Sequence, residues 1–175
     1  MKSNVVRLKG IKIWNFKNVG YGELSFEDTR KPYAASILGL YGQNGSGKTA
    51  LIDALFLLKY LLMGQQVPSK FADCINVNAS SSSFQFNFKV ICGTENHTEF
   101  DVEYTCSIRK DADENAANME QTPKYKVTVF NEILSASFKN EQKKRRFCPL
   151  IDTRTDGVFL PVSKYKLFAG SEKTV

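Results

Sequence analysis

Apolar and polar side chains take turns from residue 4 to residue 16, NVVRLKGIKIWNF, and the alternation slips at Gly10. Val6 and Leu8 precede the slip; Ile11 and Ile13 follow it. Alternation broken by one residue predicts a strand with a β-bulge. KNVGYGELSF then supplies a glycine turn and a second short strand carrying Leu24 and Phe26, so the chain opens with a hairpin. After a polar loop containing Pro32, ASILGLY is a continuous apolar run, as expected of a strand buried on both faces. A glycine-rich stretch leads into KTALIDALFLLKYLLMG, where apolar residues cover almost every face. That pattern predicts a core helix of about 15 residues, roughly 22 Å long. Gly64 is placed to end it.

QQVPSKFADCINVNASSSS reads as a loop, and beyond it the period becomes two. Phe84, Phe86, Phe88 and Val90 alternate with Gln85, Asn87 and Lys89. GTENHT turns the chain, and Phe100, Val102, Tyr104, Cys106 and Ile108 alternate with polar neighbours. These are two half-buried antiparallel strands. A long polar loop, KDADENAANMEQTP, precedes a third strand through Tyr125, Val127 and Val129. KNEQKKRR is a charged stretch, and GVFLPVSKYKLF is a last apolar segment interrupted by Pro161. No internal repeat is visible. Trp14 and Phe16 are assigned to core packing rather than to stacking on a ligand. Asp101 and Glu103 share a strand face with no basic partner close in sequence, and are read as solvent-facing.

Composition adds little. Of the 175 residues, 42% are hydrophobic and 24% charged, ordinary for a globular protein. The net charge of +6 leans towards a polyanionic partner, nucleotide or nucleic acid. The four cysteines, Cys74, Cys92, Cys106 and Cys148, form no CxxC pair, and His97 is the one histidine. This argues against zinc and for free thiols in a reducing cytoplasm, with Cys92 and Cys106 on buried strand positions. The opening residues lack a signal-peptide core, and the greasiest run, 51–63, is broken by Asp53 and Lys59 and too short to cross a bilayer.

The glycine-rich stretch changes the picture. Gly42-Gln-Asn-Gly-Ser-Gly-Lys48-Thr49 fits G-x-x-x-x-G-K-[ST], the phosphate-binding (Walker A) pattern. A triphosphate is surrounded by backbone N–H groups only if the chain curls with no side chains in the way, hence glycine. The following helix offers unpaired N–H groups and its positive dipole end. Lys48 can reach the outer phosphates as a mobile point charge, and the Thr49 hydroxyl can complete a magnesium shell.

Residues 8–58, IKIWNFKNVGYGELSF and ILGLYGQNGSGKTALIDAL, resemble the N-terminal part of ABC-class ATPases of the SMC/RecF/OLD type. Those proteins open with an NF(R/K) hairpin before the phosphate loop and an L.DA helix. VTVFNEIL also resembles a strand of AAA15/AAA21-like bacterial members, which often serve phage defence or DNA maintenance. The resemblance implies an α/β fold: the N-terminal lobe of a P-loop NTPase carrying an antiparallel β subdomain. It implies ATP and Mg2+ as ligands, held by Gly42, Asn44, Gly45, Ser46, Gly47, Lys48, Thr49 and Ala50, with Thr49 on the metal. Lys17 would sit near the phosphates or ribose, or else be a solvated hairpin lysine; the case for Asn18 is weaker.

The family's hydrolytic parts are not found. There is no hydrophobic strand ending in Asp-Glu, no convincing signature loop, and Gln121 and Gln142 lack the context of the magnesium-binding glutamine. No catalytic residue is therefore assigned, and the chain is expected to be the N-terminal portion of a longer ATPase. The expected division is 1–64 for hairpin, phosphate loop and core helix, 65–83 for a linker, 84–140 for the β subdomain, and 141–175 for a basic stretch returning towards a second lobe. The expected function is ATP-driven dimer closure in DNA maintenance or phage defence, in the cytoplasm, with hydrolysis completed by that lobe. Partners would be the lobe, a second copy and nucleic acid, and no membrane. The basic run Lys143, Lys144, Arg145 and Arg146 could touch nucleic-acid phosphates, or be an exposed charged face. A transporter-type nucleotide-binding subunit and a non-hydrolysing nucleotide module are the alternatives.

Overall fold

A computed structural model describes residues 4–27, 39–92, 98–112, 125–139 and 145–154. The elements run β1 (Val5–Phe16), β2 (Val19–Ser25), α1 (Lys48–Leu62), a 3-10 helix (Ser69–Cys74), β3 (Ser81–Cys92), β4 (Thr98–Ala112), β5 (Tyr125–Lys139) and β6 (Arg145–Asp152). The strands form one six-stranded sheet in the order β2-β1-β3-β4-β5-β6. Every pairing between them is antiparallel. The described residues are thus an antiparallel sheet with a helix packed on one face, and the parallel strands of an α/β core are not among them.

The period-two pattern decides which face is greasy. Directly opposed residues share a face, so Ile13, Phe84 and Cys106 line up across β1, β3 and β4, and Ile11, Phe86 and Tyr104 form the next row. These residues and Ile108 meet Ala50, Leu51, Ala54, Leu57 and Leu58 of α1 in one core. The slip at Gly10 is real: the β1–β3 register shifts between Leu8 and Gly10. A side chain at Gly10 would place its Cβ 2.9 Å from the Leu24 carbonyl oxygen.

A second phase change follows that the alternation does not announce. Alternation from Ile13 would send Asn15 into the core and Phe16 out. Instead Asn15 is left-handed, with φ 54°, and Phe16 turns inward to 0% exposure. There it meets Phe84 edge-on, with ring centroids 5.0 Å apart. Trp14 stays on the other face, 5.5 Å from Tyr21.

Other expectations need correction. In the apolar run ASILGLY, residues 35–38 lie outside the described residues, while Gly39, Leu40 and Tyr41 form no strand, and Tyr41 is 94% exposed. A strand buried on both faces needs neighbours, and among the described residues none of the six strands pairs with Gly39, Leu40 or Tyr41. The helix has its expected 15 residues, and Gly64 ends it in the left-handed conformation. It is not buried all round, because Ile52, Phe56 and Leu62 face outward. The 65–83 stretch is more than a linker: Val67 and Phe71 are buried, and β3 already begins at Ser81. Since β1 pairs with β3, the hairpin and the later strands share one sheet across the expected boundary. The charged stretch hides the start of β6 at Arg145, paired with β5. Lys143, Lys144 and the segment from Gly157 lie outside the described residues, as does the loop after β4 from residue 113. Cys106 is buried as expected, whereas Cys92 is only partly so. Asp101 is not solvent-facing but accepts from Lys9 Nζ at 3.2 Å, a partner 92 residues away; Glu103 accepts from Gln85 at 2.7 Å.

Phe84 sits at the centre of this face, 1% exposed, stacked parallel to Phe86 and met edge-on by Phe16. Phe84→Ala should therefore cost about 3–5 kcal/mol, a large share of the stability of a domain this size. Urea denaturation followed by circular dichroism would measure it; a loss under about 1 kcal/mol would mean the aromatic row is not the core.

Candidate functional site

The glycine loop connects the exposed Tyr41 to the first turn of α1. Three of its glycines take positive φ: Gly42 at 153°, Gly45 at 87° and Gly47 at 86°. Any other residue would be strained there, and a Cβ at Gly47 would also lie 3.0 Å from Val19 Cγ2. Gly47 is the N-cap of α1; no side chain caps the helix, and no acidic residue lies in its first turn. The positive end of the helix dipole is thus left for a ligand to meet.

Lys48 is turned back over the loop. Its Nζ donates to the Gly42 carbonyl at 2.6 Å, the Gln43 carbonyl at 2.8 Å and Ser46 Oγ at 3.2 Å. Three partners hold the ammonium without a carboxylate among them, so an incoming anion competes only with neutral dipoles. Asn44 and Ser46 are exposed on the loop, and Thr49 is exposed on the first turn of α1. Ala50 differs: the whole residue is buried in the core, 1% exposed.

The β1–β2 turn lies against this loop. Lys17, also left-handed at φ 53°, points its ammonium along α1 and pairs with the Asp53 carboxylate. The neighbouring Asn18, the weaker candidate in the sequence, is the one that touches the loop, donating its side-chain amide to the Gly45 carbonyl. Asp53 is the acidic residue of the L.DA pattern in KTALIDAL, one turn beyond Thr49, but that pattern does not announce its pairing with Lys17. Between turn and loop lies a cleft of about 490 Å³, lined by Asn18, Tyr21, Leu40, Ser46, Lys48 and Leu51 among others. A larger cleft of about 810 Å³ opens elsewhere, between the 3-10 helix and the start of β5; it shares no residue with the glycine loop.

Among the described residues no group of three or more His, Cys, Asp or Glu side chains is placed to hold a metal. A distinct titratable cluster lies across β4 and β5, where the Tyr104 hydroxyl donates to Glu132. Burial foremost, then the Glu132 carboxylate, pushes the Cys106 thiol up to about 12. Burial, then Cys106 and the bond to Glu132, pushes the Tyr104 hydroxyl up as well. Such a thiol is inert at neutral pH, and the cluster is structural.

The chain belongs to the AAA domain family, whose model matches residues 7–158. This agrees with the resemblance of its opening residues to SMC/RecF-type ABC-class P-loop ATPases. The SbcC component of the nuclease SbcCD of Clostridium acetobutylicum is 32% identical to it over 90 residues. That stretch covers 51% of this chain and 7% of the relative, so the chain spans a small part of that protein's length. No solved structure matches the chain.

The buried thiol gives a direct check on this part of the fold. At pH 7.5 a thiol reagent should leave Cys106 unmodified in the native chain and modify it once urea unfolds it, as peptide mass spectrometry would show. Rapid native labelling of Cys106 would contradict its burial.

Proposed function

We propose that residues 42–49 bind ATP with Mg2+, and that the chain is the nucleotide-binding part of an SMC/RecF-like ATPase. The observation that carries this is the uncapped start of α1, reached through a left-handed glycine loop whose lysine is held by neutral groups alone. Gly42, Asn44, Gly45, Ser46, Gly47 and the Ala50 amide would surround the phosphates with N–H groups. Lys48 would leave the loop carbonyls for the outer phosphates, and the Thr49 hydroxyl would join the magnesium shell. Magnesium would supply neutralisation of the phosphate charge; what this chain supplies is position and enclosure. Lys17, paired with Asp53 in the ligand-free chain, would contribute only by exchanging that carboxylate for a phosphate.

The biological reading follows the relative. A nuclease component among the similar proteins supports a role in DNA maintenance, and the family resemblance of VTVFNEIL keeps phage defence in view. We infer dimer closure on ATP, with hydrolysis completed by a C-terminal lobe. A cytoplasmic location fits this work; no described helix is long and apolar enough to cross a membrane.

On this reading the 175-residue chain binds ATP·Mg and hydrolyses it barely at all. Lys48→Ala should reduce ATP affinity by about ten- to a hundredfold, since a charge-assisted contact to phosphate is worth about 1.5–3 kcal/mol. Isothermal calorimetry with ATP·Mg tests it: equal affinities in the variant and the parent chain would remove the assignment.

A further inference from the structure

The β1–β2 turn is built more firmly than a hairpin turn needs to be. Two of its residues, Asn15 and Lys17, hold left-handed backbones at φ 54° and 53°. Such conformations cost on the order of 1 kcal/mol or more each and persist only where the surroundings impose them. The surroundings here come from the 3-10 helix and the start of β3. The Lys17 N–H donates to the Cys74 carbonyl, and the Asn76 N–H donates to the Asn15 carbonyl at 2.9 Å. Asn76 Nδ2 donates to the Lys17 carbonyl at 2.8 Å, and Ser82 Oγ to the Asn15 carbonyl at 2.6 Å. Phe16 forms a bridge to Ile75 as well. The turn is a rigid mount on the sheet.

What the mount carries is Asn18, whose side chain is exposed, with its amide on the Gly45 carbonyl. Exposed hydrogen bonds add little to folding, so folding alone does not explain the arrangement. The glycine loop does. A loop that receives phosphate with its amides must keep its carbonyl oxygens, which repel phosphate, turned away or occupied. Lys48 occupies those of Gly42 and Gln43; Asn18 occupies that of Gly45. Lys48 is needed by the phosphate and would release its two, whereas Asn18 can stay. Because C=O and N–H point in opposite directions across one planar peptide, fixing the Gly45 oxygen also fixes the direction of the Ser46 N–H. In the ligand-free loop that N–H rests on the Gln43 carbonyl at a long 3.2 Å, which a phosphate oxygen would readily displace. Val19, next in the turn, buttresses the loop again at Gly47.

We propose that Asn18 is a positioning residue of the nucleotide site: its amide, carried on the braced β1–β2 turn, holds the Gly45 peptide so that the loop presents N–H groups and not oxygen to phosphate. This rests on the nucleotide-binding reading above. Asn18→Ala should weaken ATP·Mg binding about three- to tenfold, the range of one lost hydrogen bond. Asn18→Asp, which sets a carboxylate against the Gly45 oxygen, should weaken it at least as much, and Asn18→Gln, which keeps the donor, should recover part of the loss. The thermal midpoint of the ligand-free chain should stay within about 2 °C, as for an exposed substitution. In amide NMR spectra of the ligand-free chain, the Gly45 and Ser46 signals should move in Asn18→Ala. Parent-like affinity in Asn18→Ala and Asn18→Asp with those signals unmoved would overturn the proposal while leaving the nucleotide reading intact. A parent chain that binds no ATP·Mg at all would overturn the nucleotide reading, and this proposal with it.

Discussion

The placement of the first turn of α1 is the constraint on which the site depends, and it is set by apolar contact. Ala50 and Ala54 are almost wholly buried, and their small side chains let the helix backbone come close to the aromatic rows of β1 and β3. Leu51, Leu57 and Leu58 fill the remaining space against Ile11, Ile13, Phe16, Phe84 and Phe86. Tilting the helix would return several of these side chains to water at about 25 cal/mol for each Å². The direction in which the helix presents its first amides is thus decided in the core, well away from any ligand. Ala50 illustrates the point: in the first turn of the helix it is already buried in the core.

Upon that placement rests a balance of backbone dipoles. A glycine loop has as many carbonyls as amides, and enclosure of an anion requires the two sets to be separated. The loop achieves this by giving its oxygens partners of their own, through Lys48 and Asn18. Lys17 shows the same principle from another side. Its ammonium is neutralised by Asp53 on α1, so the ligand-free site does not hold two unpaired cations repelling each other across a small cleft.

The parts of the fold governed by local periodicity are legible in the sequence. Alternation marks β1, β3 and β4 and their inward faces, the slip at Gly10 marks a true register shift, and the apolar run marks α1 with its stop at Gly64. The parts decided by distant residues are not legible. Nothing within a few positions of Asn15 announces that it will be left-handed; that is imposed by Ser82 and Asn76. Asp101 looks exposed in the sequence because its cation, Lys9, lies 92 residues back. β6 is masked by charge at its start and by Pro149 within it, a residue that an edge strand tolerates. Leu40 and Tyr41 mislead in the opposite sense: an apolar run suggests burial, but burial needs a neighbour. The same holds for Ile52 and Phe56, since a helix apolar on all sides is a core helix only when a layer covers each side. For the site, spacing alone picks out Gly42 to Thr49, because the chemistry of a bare loop leaves few alternatives. Asn18 and Asp53 are visible only as members of the resembling hairpin and L.DA helix; their partners, the Gly45 carbonyl and Lys17, exist only once the turn and the helix have met.

That last point bears on how such a site is assembled. The glycine loop makes few contacts of its own, and its residues are mostly exposed. Its shape is borrowed from the helix on one side and the β1–β2 turn on the other. The turn in turn borrows from residues 74–82, which arrive only after α1 is complete and the chain has crossed back to the sheet. The strain at Asn15 and Lys17 would relax in an isolated hairpin; it is held because the Phe16 side chain between them is buried and the carbonyls on either side of it accept from Asn76 and Ser82. A local signature of eight residues is therefore given its shape by contacts up to 67 positions apart in sequence. This is why the motif is readable at once while the structure that gives it its form is not.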